Sequence, residues 1–375
     1  MKFTTLVEPL KKAINAAERI TGKNITLPML ANILLKVNKN SLQILATDLE
    51  IGVDIIVSGR AEEEGEVVIP AKVFNNFLSN LSEEKINLIQ DGQNLKVEDG
   101  KHSVMFQGFN IEDFPIIPHI KSDKYISINK IKFQQSLEQV IPAINNISSK
   151  VELNGVFLKL EKNNLRLVGT DSFRLAEKII TKDNYKTNIT NDISLIIPLK
   201  VIQELLRLIA ENNNETELIE IIPEINQVQF NLGDLRLISQ LINAQYPNYS
   251  AIIPQSFEYE IITPKEDLIE AVKLSGLFSG KINNVKFIFS PTKHQIITTA
   301  EDPTLGAATN ISPILNIKGP KNDLEINLNY RFFLDGLNST NYQEIFIGLN
   351  KDINPILIKG KEENDFFYLL MPLKM

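Results

Sequence analysis

The sequence predicts an α+β protein made of three tandem copies of one module, each with two helices on one face of antiparallel sheet. Three observations predict it. Residues 33–48 (ILLKVNKNSLQILATD) and 156–171 (VFLKLEKNNLRLVGTD) agree at seven of sixteen positions without a gap. A second phrase, PAKVFNNFL from Pro70, returns as PLKVIQELL from Pro198 and more faintly as NYRFFLDGL from Asn329. The copies also keep step: Asp48 to Asp171 is 123 residues, Pro70 to Pro198 is 128 and Pro198 to Asn329 is 131, each close to one third of the 375-residue chain. A fixed period of that size is the mark of a duplicated domain. The modules are placed at 1–122, 123–254 and 255–375, with linkers near 119–125 and 250–258.

In the first copy Leu6, Leu10, Ala13, Ile14, Ala17 and Ile20 recur at helical spacing and Gly22 closes the stretch, which predicts an amphipathic helix over 6–20. Ile33, Leu35 and Val37 then alternate with Leu34 and Lys36, a Lys39-Asn40 turn follows, and Leu42, Ile44 and the stretch 51–58 continue the strand pattern. Pro70 opens a second helix as a first helical residue, with Phe74, Phe77, Leu78 and Leu81 as its apolar stripe. Short strands at 86–90, 95–98 and 103–107 finish the copy, turned by Asp91-Gly92 and Asp99-Gly100. The second copy repeats the plan, with a helix through Phe133, Leu137, Val140 and Ile144 that runs past Pro142, and another from Pro198 to about Ile209. The third predicts helices near 265–278 and 330–338 and strands at 344–349, 355–359 and 366–371.

Composition narrows the function. No apolar run reaches the roughly 18 residues of a membrane helix, and the start, MKFTTLVEPLKK, is broken by Glu8 and Pro9 before any signal-like stretch forms. A cytoplasmic protein is expected. The absence of cysteine removes disulfides, thiolate nucleophiles and sulfur ligands together, so sequons such as Asn24-Ile25-Thr26 and Asn188-Ile189-Thr190 are read as accidents. A formal charge of −7 argues against a protein coated in positive charge, although a local basic face stays open.

Few residues suggest catalysis. Gly276-Leu277-Phe278-Ser279-Gly280-Lys281 has three residues between its glycines where a phosphate loop needs four, and Ile282 stands where Ser or Thr would hold magnesium. His102, His119 and His294 sit singly in the sequence, so no metal site or histidine-based nucleophile pair is expected. The repeated Thr47-Asp48 and Thr170-Asp171 could be the carboxylates of a hydrolase or nuclease. The plainer reading is that each Asp ends a strand and caps the next turn. Only the second continues as Ser172-Phe173-Arg174-Leu175, a mixture that suits peptide binding better than catalysis. Charge repeats too: Lys72, Lys200 and Arg331 follow Pro70, Pro198 and Asn329 by two residues, against the helix dipole. With Arg207 and Lys273 they would give the helical side a positive surface.

These residues resemble the bacterial β sliding clamp family, the processivity subunit of the replicative DNA polymerase. The likeness runs from MKFT through Leu27-Pro28-Met29-Leu30, Ala46-Thr47-Asp48-Leu49-Glu50, Leu153-Asn154-Gly155, Thr170 to Leu175 and Tyr246-Pro247-Asn248-Tyr249 to the closing Tyr368-Leu369-Leu370-Met371-Pro372-Leu373-Lys374-Met375. It implies a non-enzymatic, cofactor-free and metal-free homodimer, closed head to tail into a ring around duplex DNA, with helices inside and sheets outside. The implied DNA-facing residues are Lys72, Lys200, Arg207, Lys273 and Arg331. The implied partner pocket comprises Leu153, Thr170, Ser172, Phe173, Arg174, Leu175, Pro247, Ile252, Pro355, Leu369, Met371, Pro372 and Leu373. Its expected occupants are peptides of the polymerase catalytic subunit, the clamp loader and other proteins that carry a clamp-binding motif, and no membrane is involved. Each buried Leu or Phe anchor would contribute about 1.5–3 kcal/mol before entropy costs. Phe173 and Ala251 stand where the family often has histidine and arginine, which implies a more apolar rim. At the dimer seam the resemblance implies Lys101, Val104, Phe106 and Leu277, facing a Glu301-to-Gly306 segment with fewer acids than usual. A carboxylate-based hydrolase and a repeat scaffold that binds only proteins remain the alternatives.

Overall fold

A computed structural model describes residues 1–22, 27–118, 120–145, 149–211 and 217–374. The Asn24-Ile25-Thr26 sequon, His119 and Met375 lie outside the described residues. Among those described, the helices are α1 (Val7–Ile20), α2 (Ala71–Ser79), α3 (Lys130–Val140), α4 (Leu199–Glu211), α5 (Lys265–Gly276) and α6 (Tyr330–Asn338), and the strands form four antiparallel sheets.

Local chemistry explains where these helices differ from expectation. Leu6 is the N-cap of α1 and is 44% exposed, outside the buried stripe of Leu10, Ala13, Ile14, Ala17 and Ile20. Pro70 and Pro198 end the strands Gly65–Pro70 and Ile193–Pro198, so each proline precedes its helix and the first helical residues are Ala71 and Leu199. In the third copy Asn329 takes this place and supplies what proline lacks, its side chain accepting from Arg331 N at 3.0 Å and Phe332 N at 3.4 Å. Helix α3 stops at Val140, and Ile141–Ala143 tightens into a 3₁₀ turn. Pro142 has no N–H to continue an α-helix, so the predicted run to Ile144 fails there. Leu81 falls past the end of α2 for a simpler reason: that helix closes at Ser79.

The chain divides into two compact units. Unit one takes Met1–Ile131, Tyr185–Ile189 and Gln203–Leu241. Its five-stranded sheet runs Arg60–Glu63, Lys2–Leu6, Lys85–Asp91, Asn94–Glu98, Ser103–Phe106. Its nine-stranded sheet joins five strands of the central copy, ending in Leu235–Gln240, to four of the first, beginning at Ile51–Ser58. The seam is an antiparallel ladder with Leu237 opposite Val53. Helices α1 and α2 pack on each other, and Phe3, Phe74 and Phe230 are fully buried.

Unit two takes Lys132–Asn184, Thr190–Ile202 and Ile242–Met375. Its nine-stranded sheet joins four strands of the central copy, ending in Arg174–Thr181, to five of the third, beginning at Phe366–Leu370. A four-stranded sheet runs Gly306–Pro313, Gln295–Asp302, Asn284–Ser290, Leu324–Asn329. Helix α5 lies on this smaller sheet while α6 packs against Ile356–Gly360 and Phe366–Leu370. Phe287, Phe333, Phe366 and Tyr368 fill the core. Gly169 is required here, because a Cβ on it would stand 2.9 Å from the Val140 carbonyl oxygen.

Candidate functional site

The repeated Thr-Asp pairs build the same turn atom for atom. Thr47 Oγ1 donates to the Ile51 carbonyl at 2.8 Å and accepts from Leu49 N at 2.9 Å, and Asp48 Oδ1 accepts from Glu50 N and Ile51 N at 3.0 and 2.9 Å. In the second copy Thr170 Oγ1 donates to the Arg174 carbonyl at 2.6 Å and accepts from Ser172 N at 3.2 Å, and Asp171 Oδ1 accepts from Phe173 N and Arg174 N at 2.9 and 3.0 Å. Leu49 and Ser172 share a left-handed φ of 79°. The third copy keeps the aspartate alone: Asp302 Oδ1 accepts from Thr304 N and Leu305 N, and the Thr304 hydroxyl with these N–H groups holds its carboxyl below the usual carboxylate range. These carboxylates are turn caps.

The second turn opens onto a sheet surface that can be read row by row. Ile196, Phe157, Val168, Glu177 and Phe367 stand opposite one another across successive strands. The next row, about two residues along, is Thr170, Leu175, Leu369 and Leu357. Side chains in both rows share a face, and Leu153, Val168, Leu175, Ile196, Tyr246, Leu357 and Leu369 form one buried cluster there. The segment after Ile242 crosses the first row. Tyr246 stacks on Phe157 with centroids 4.4 Å apart, Tyr249 meets Tyr246 edge-on at 6.3 Å, and Ile253 and Phe257 continue the packing. Burial and a bond to Glu177 push the Tyr249 hydroxyl above its ordinary pKa.

Arg174 points the other way. Alternation puts it under the sheet, where its Nε bonds Asp171 Oδ2 at 2.9 Å, its Nη1 bonds Asp335 of α6, and its guanidinium lies 4.0 Å from the Phe332 ring centroid. It therefore anchors the turn and lines no part of the outer face.

The structure brings most of the expected pocket together. Met371 N donates to the Phe173 carbonyl at 2.8 Å and Leu373 N to the Asn327 carbonyl at 2.8 Å, laying Met371-Pro372-Leu373 beside the Thr170–Leu175 turn. Phe173 and Ile252 are 62% and 48% exposed. Pro247 flanks the stacked Tyr246, Pro355 leads into the strand bearing Leu357, and Ser172 forms the tip of the turn. Leu153, Leu175 and Leu369 are 3%, 1% and 2% exposed, so they are floor rather than rim. Sequence reasoning missed Phe157, Val168, Glu177, Phe346 and Phe367. Strand alternation from Leu175 to Glu177 and from Leu369 to Phe367 was the signal available.

The expected cationic residues are exposed on helices. Lys72, Lys200 and Arg331 each occupy the second residue of α2, α4 and α6, with Arg207 on α4 and Lys273 on α5. Arg207 has Glu204 at 3.5 Å. The seam residues fall at edges: Ser103–Phe106 and Gly306–Pro313 each lie at one edge of their sheets. Leu277 is 67% exposed, whereas Phe106 is buried edge-on against Phe74 and Phe77. The glycine-rich stretch from Gly276 follows the C-terminus of α5, where the dipole repels phosphate. His102 Nδ1 is 2.8 Å from Asp99 Oδ2.

Comparison with known proteins covers the whole chain. Family models for the DNA polymerase III beta subunit match as N-terminal domain over residues 1–118, central domain over 127–248 and C-terminal domain over 250–374. The beta sliding clamp of Synechococcus elongatus is 25% identical over 381 residues, covering 100% of both chains. The crystal structure of the Thermotoga maritima DNA polymerase III beta subunit superposes with a TM-score of 0.90 at 25% identity, over 100% of this chain and 99% of that one. A Pseudomonas aeruginosa sliding clamp bound to griselimycin gives a TM-score of 0.92 at 23% identity, covering 100% of both chains.

Proposed function

The chain belongs to the DNA polymerase III beta subunit family, and from that premise we propose how its residues carry out the work of a sliding clamp. It is a DNA sliding clamp, a non-catalytic processivity factor whose partners are DNA, the polymerase and a second copy of itself. A cytoplasmic location follows from that role.

The single observation that carries the ring reading is the strand count. Each internal seam completes a nine-stranded sheet by joining a set of five from one copy to a set of four from another. The two smaller sheets are a five and a four left over. The five ends in Ser103–Phe106 as the other fives end in Leu235–Gln240 and Phe366–Leu370, and the four begins at Gly306–Pro313 as the others begin at Ile51–Ser58 and Arg174–Thr181. Pairing Ser103–Phe106 with Gly306–Pro313 of a second copy makes the missing nine, removes two open edges and closes a head-to-tail dimer. Exposed Met105, Leu277, Leu305 and Ile311 add apolar contact, Lys101 and Val104 flank it, and Phe106 contributes through its backbone.

Modules 1–122, 123–254 and 255–375, doubled by symmetry, then form the ring. Lys72, Lys200, Arg207, Lys273 and Arg331 face DNA and make weak, sequence-independent phosphate contacts that permit sliding. The outer face around Thr170–Leu175 and Leu369–Leu373 takes an exchangeable peptide with Leu or Phe anchors from the polymerase catalytic subunit, the clamp loader and other motif-bearing proteins. Solution mass at micromolar concentration tests ring closure: twice the chain mass is expected, and only monomer would contradict it.

A further inference from the structure

At both internal seams, one pair of side chains crosses between neighbouring strands at equivalent positions. Gln43 Nε2 donates to Asp54 Oδ1 at 3.0 Å, and 123 residues later Arg166 Nη1 donates to Glu177 Oε1 at 2.9 Å. Both carboxylates are buried, Asp54 at 1% exposed and Glu177 at 3%. Each therefore has a second oxygen that must be matched inside the protein. At the first seam the adjoining strand supplies charge in place of a hydrogen bond: Arg236 stands opposite Asp54 and brings Nη1 to 3.5 Å from Oδ2, an ion pair in which that oxygen accepts no hydrogen bond. At the second seam the corresponding residue opposite Glu177 is Phe367, which has nothing to donate. The linker makes up the difference, with the Tyr249 hydroxyl donating to Glu177 Oε2 at 2.5 Å. Its counterpart is Ile117, since Phe114-Pro115-Ile116-Ile117 aligns with Tyr246-Pro247-Asn248-Tyr249.

We propose that Tyr249 and Glu177 form a latch that positions the wall of the peptide pocket. The latch rests on the pocket assignment above and deepens it. A backbone bond from Ile242 N to the Ile196 carbonyl at 2.9 Å and the stacking of Tyr246 on Phe157 hold the start of the linker against the sheet, but a ring face sets no register for the residues beyond Tyr246. The Tyr249 hydroxyl sets that register: its acceptor is fixed by Arg166, which Glu161 braces in turn at 2.8 Å. Tyr249 thereby holds the linker over the row of Phe157, Val168 and Glu177, beside the row of Leu175, Leu369 and Leu357. Pro247 and Ile252, on either side of Tyr249, inherit their places from the latch. Tyr249 and Glu177 are positioning residues; neither has to touch the peptide.

The test uses the full-length protein and a fluorescein-labelled hexapeptide carrying Leu and Phe anchors. Tyr249→Phe removes one hydroxyl and should lower affinity about tenfold, the scale of a hydrogen bond to a charged group. The loss should appear in the dissociation rate, with dimer mass unchanged. In a Glu177→Ala background, Tyr249→Phe should add nothing, because the two act as one device. Unchanged dissociation in Tyr249→Phe, or losses that add in the double variant, would overturn the latch while leaving the pocket in place. Tyr249→Phe decides the matter alone if Glu177→Ala fails to fold. Failure of the unsubstituted protein to bind the probe would overturn both latch and pocket.

Discussion

The turn at Thr47–Gly52 and the turn at Thr170–Leu175 have one backbone and two fates. Thr and Asp make the same four hydrogen bonds in each. What differs is the chain that follows. In the first, Ile51 is buried beneath the sheet and Gly52 leaves a hollow above it, which the linker fills: a Cβ on Gly52 would lie 3.1 Å from Ile117 Cγ2. In the second, Arg174 is anchored beneath by Asp171 and Asp335, and Leu175 rises above to join Leu369. One linker covers its seam with isoleucine, while the other stands back on two tyrosines. Duplication supplied the scaffold, and a few side chains set one of two equivalent seams apart from the other.

Substitutions can break this contrast in order of size. Leu175→Ala should cost about 2–5 kcal/mol of stability, as for other fully buried leucines, visible as a lower urea midpoint. Leu175 is too deeply buried for a charged replacement to report on binding alone, so Met371→Asp at the half-buried edge is the cleaner probe. It should lower affinity for the Leu/Phe hexapeptide at least tenfold in a direct titration, with the urea midpoint nearly unchanged. The two aspartates come next. Asp48→Ala should cost about 1 kcal/mol, the worth of a side-chain cap. Asp171→Ala should cost about 1–2 kcal/mol more, because Arg174 also loses a charged partner. Paired urea titrations check the difference, and equal losses would mean that the Arg174 anchor adds nothing. Gly52→Ala closes the series: through crowding of Ile117 it should cost about 1 kcal/mol, no more than Asp48→Ala, and leave peptide affinity untouched.

Much of this was legible in the sequence. The repeat announced the modules, and helical periodicity placed most helices within a residue or two, because a buried stripe such as Leu10, Ala13, Ile14 and Ala17 has one periodic solution. The capping role of Asp48 and Asp171 could be read because an aspartate at a strand end has a local use. The seams were harder. Nothing local in Leu235–Gln240 says that it pairs with Ile51–Ser58, and the division of the central copy between two sheets is a long-range fact. Arg174 was misread for a related reason: its neighbours suggested a pocket, whereas strand alternation sends it to the opposite face from Leu175. The contact between Glu177 and Tyr249 could not be read from the sequence, because it stands out only once Arg236 and Phe367 are seen to hold equivalent places.

Encirclement is what the proposed ring adds to surface contact. Retention of the loaded protein on DNA tests it most directly, comparing a closed circle with the same DNA cut once. The account predicts long residence on the circle and prompt loss on linearisation, since a ring slides off a free end. Equal retention on circular and linear DNA would contradict it, because binding would then rest on contact and not on encirclement.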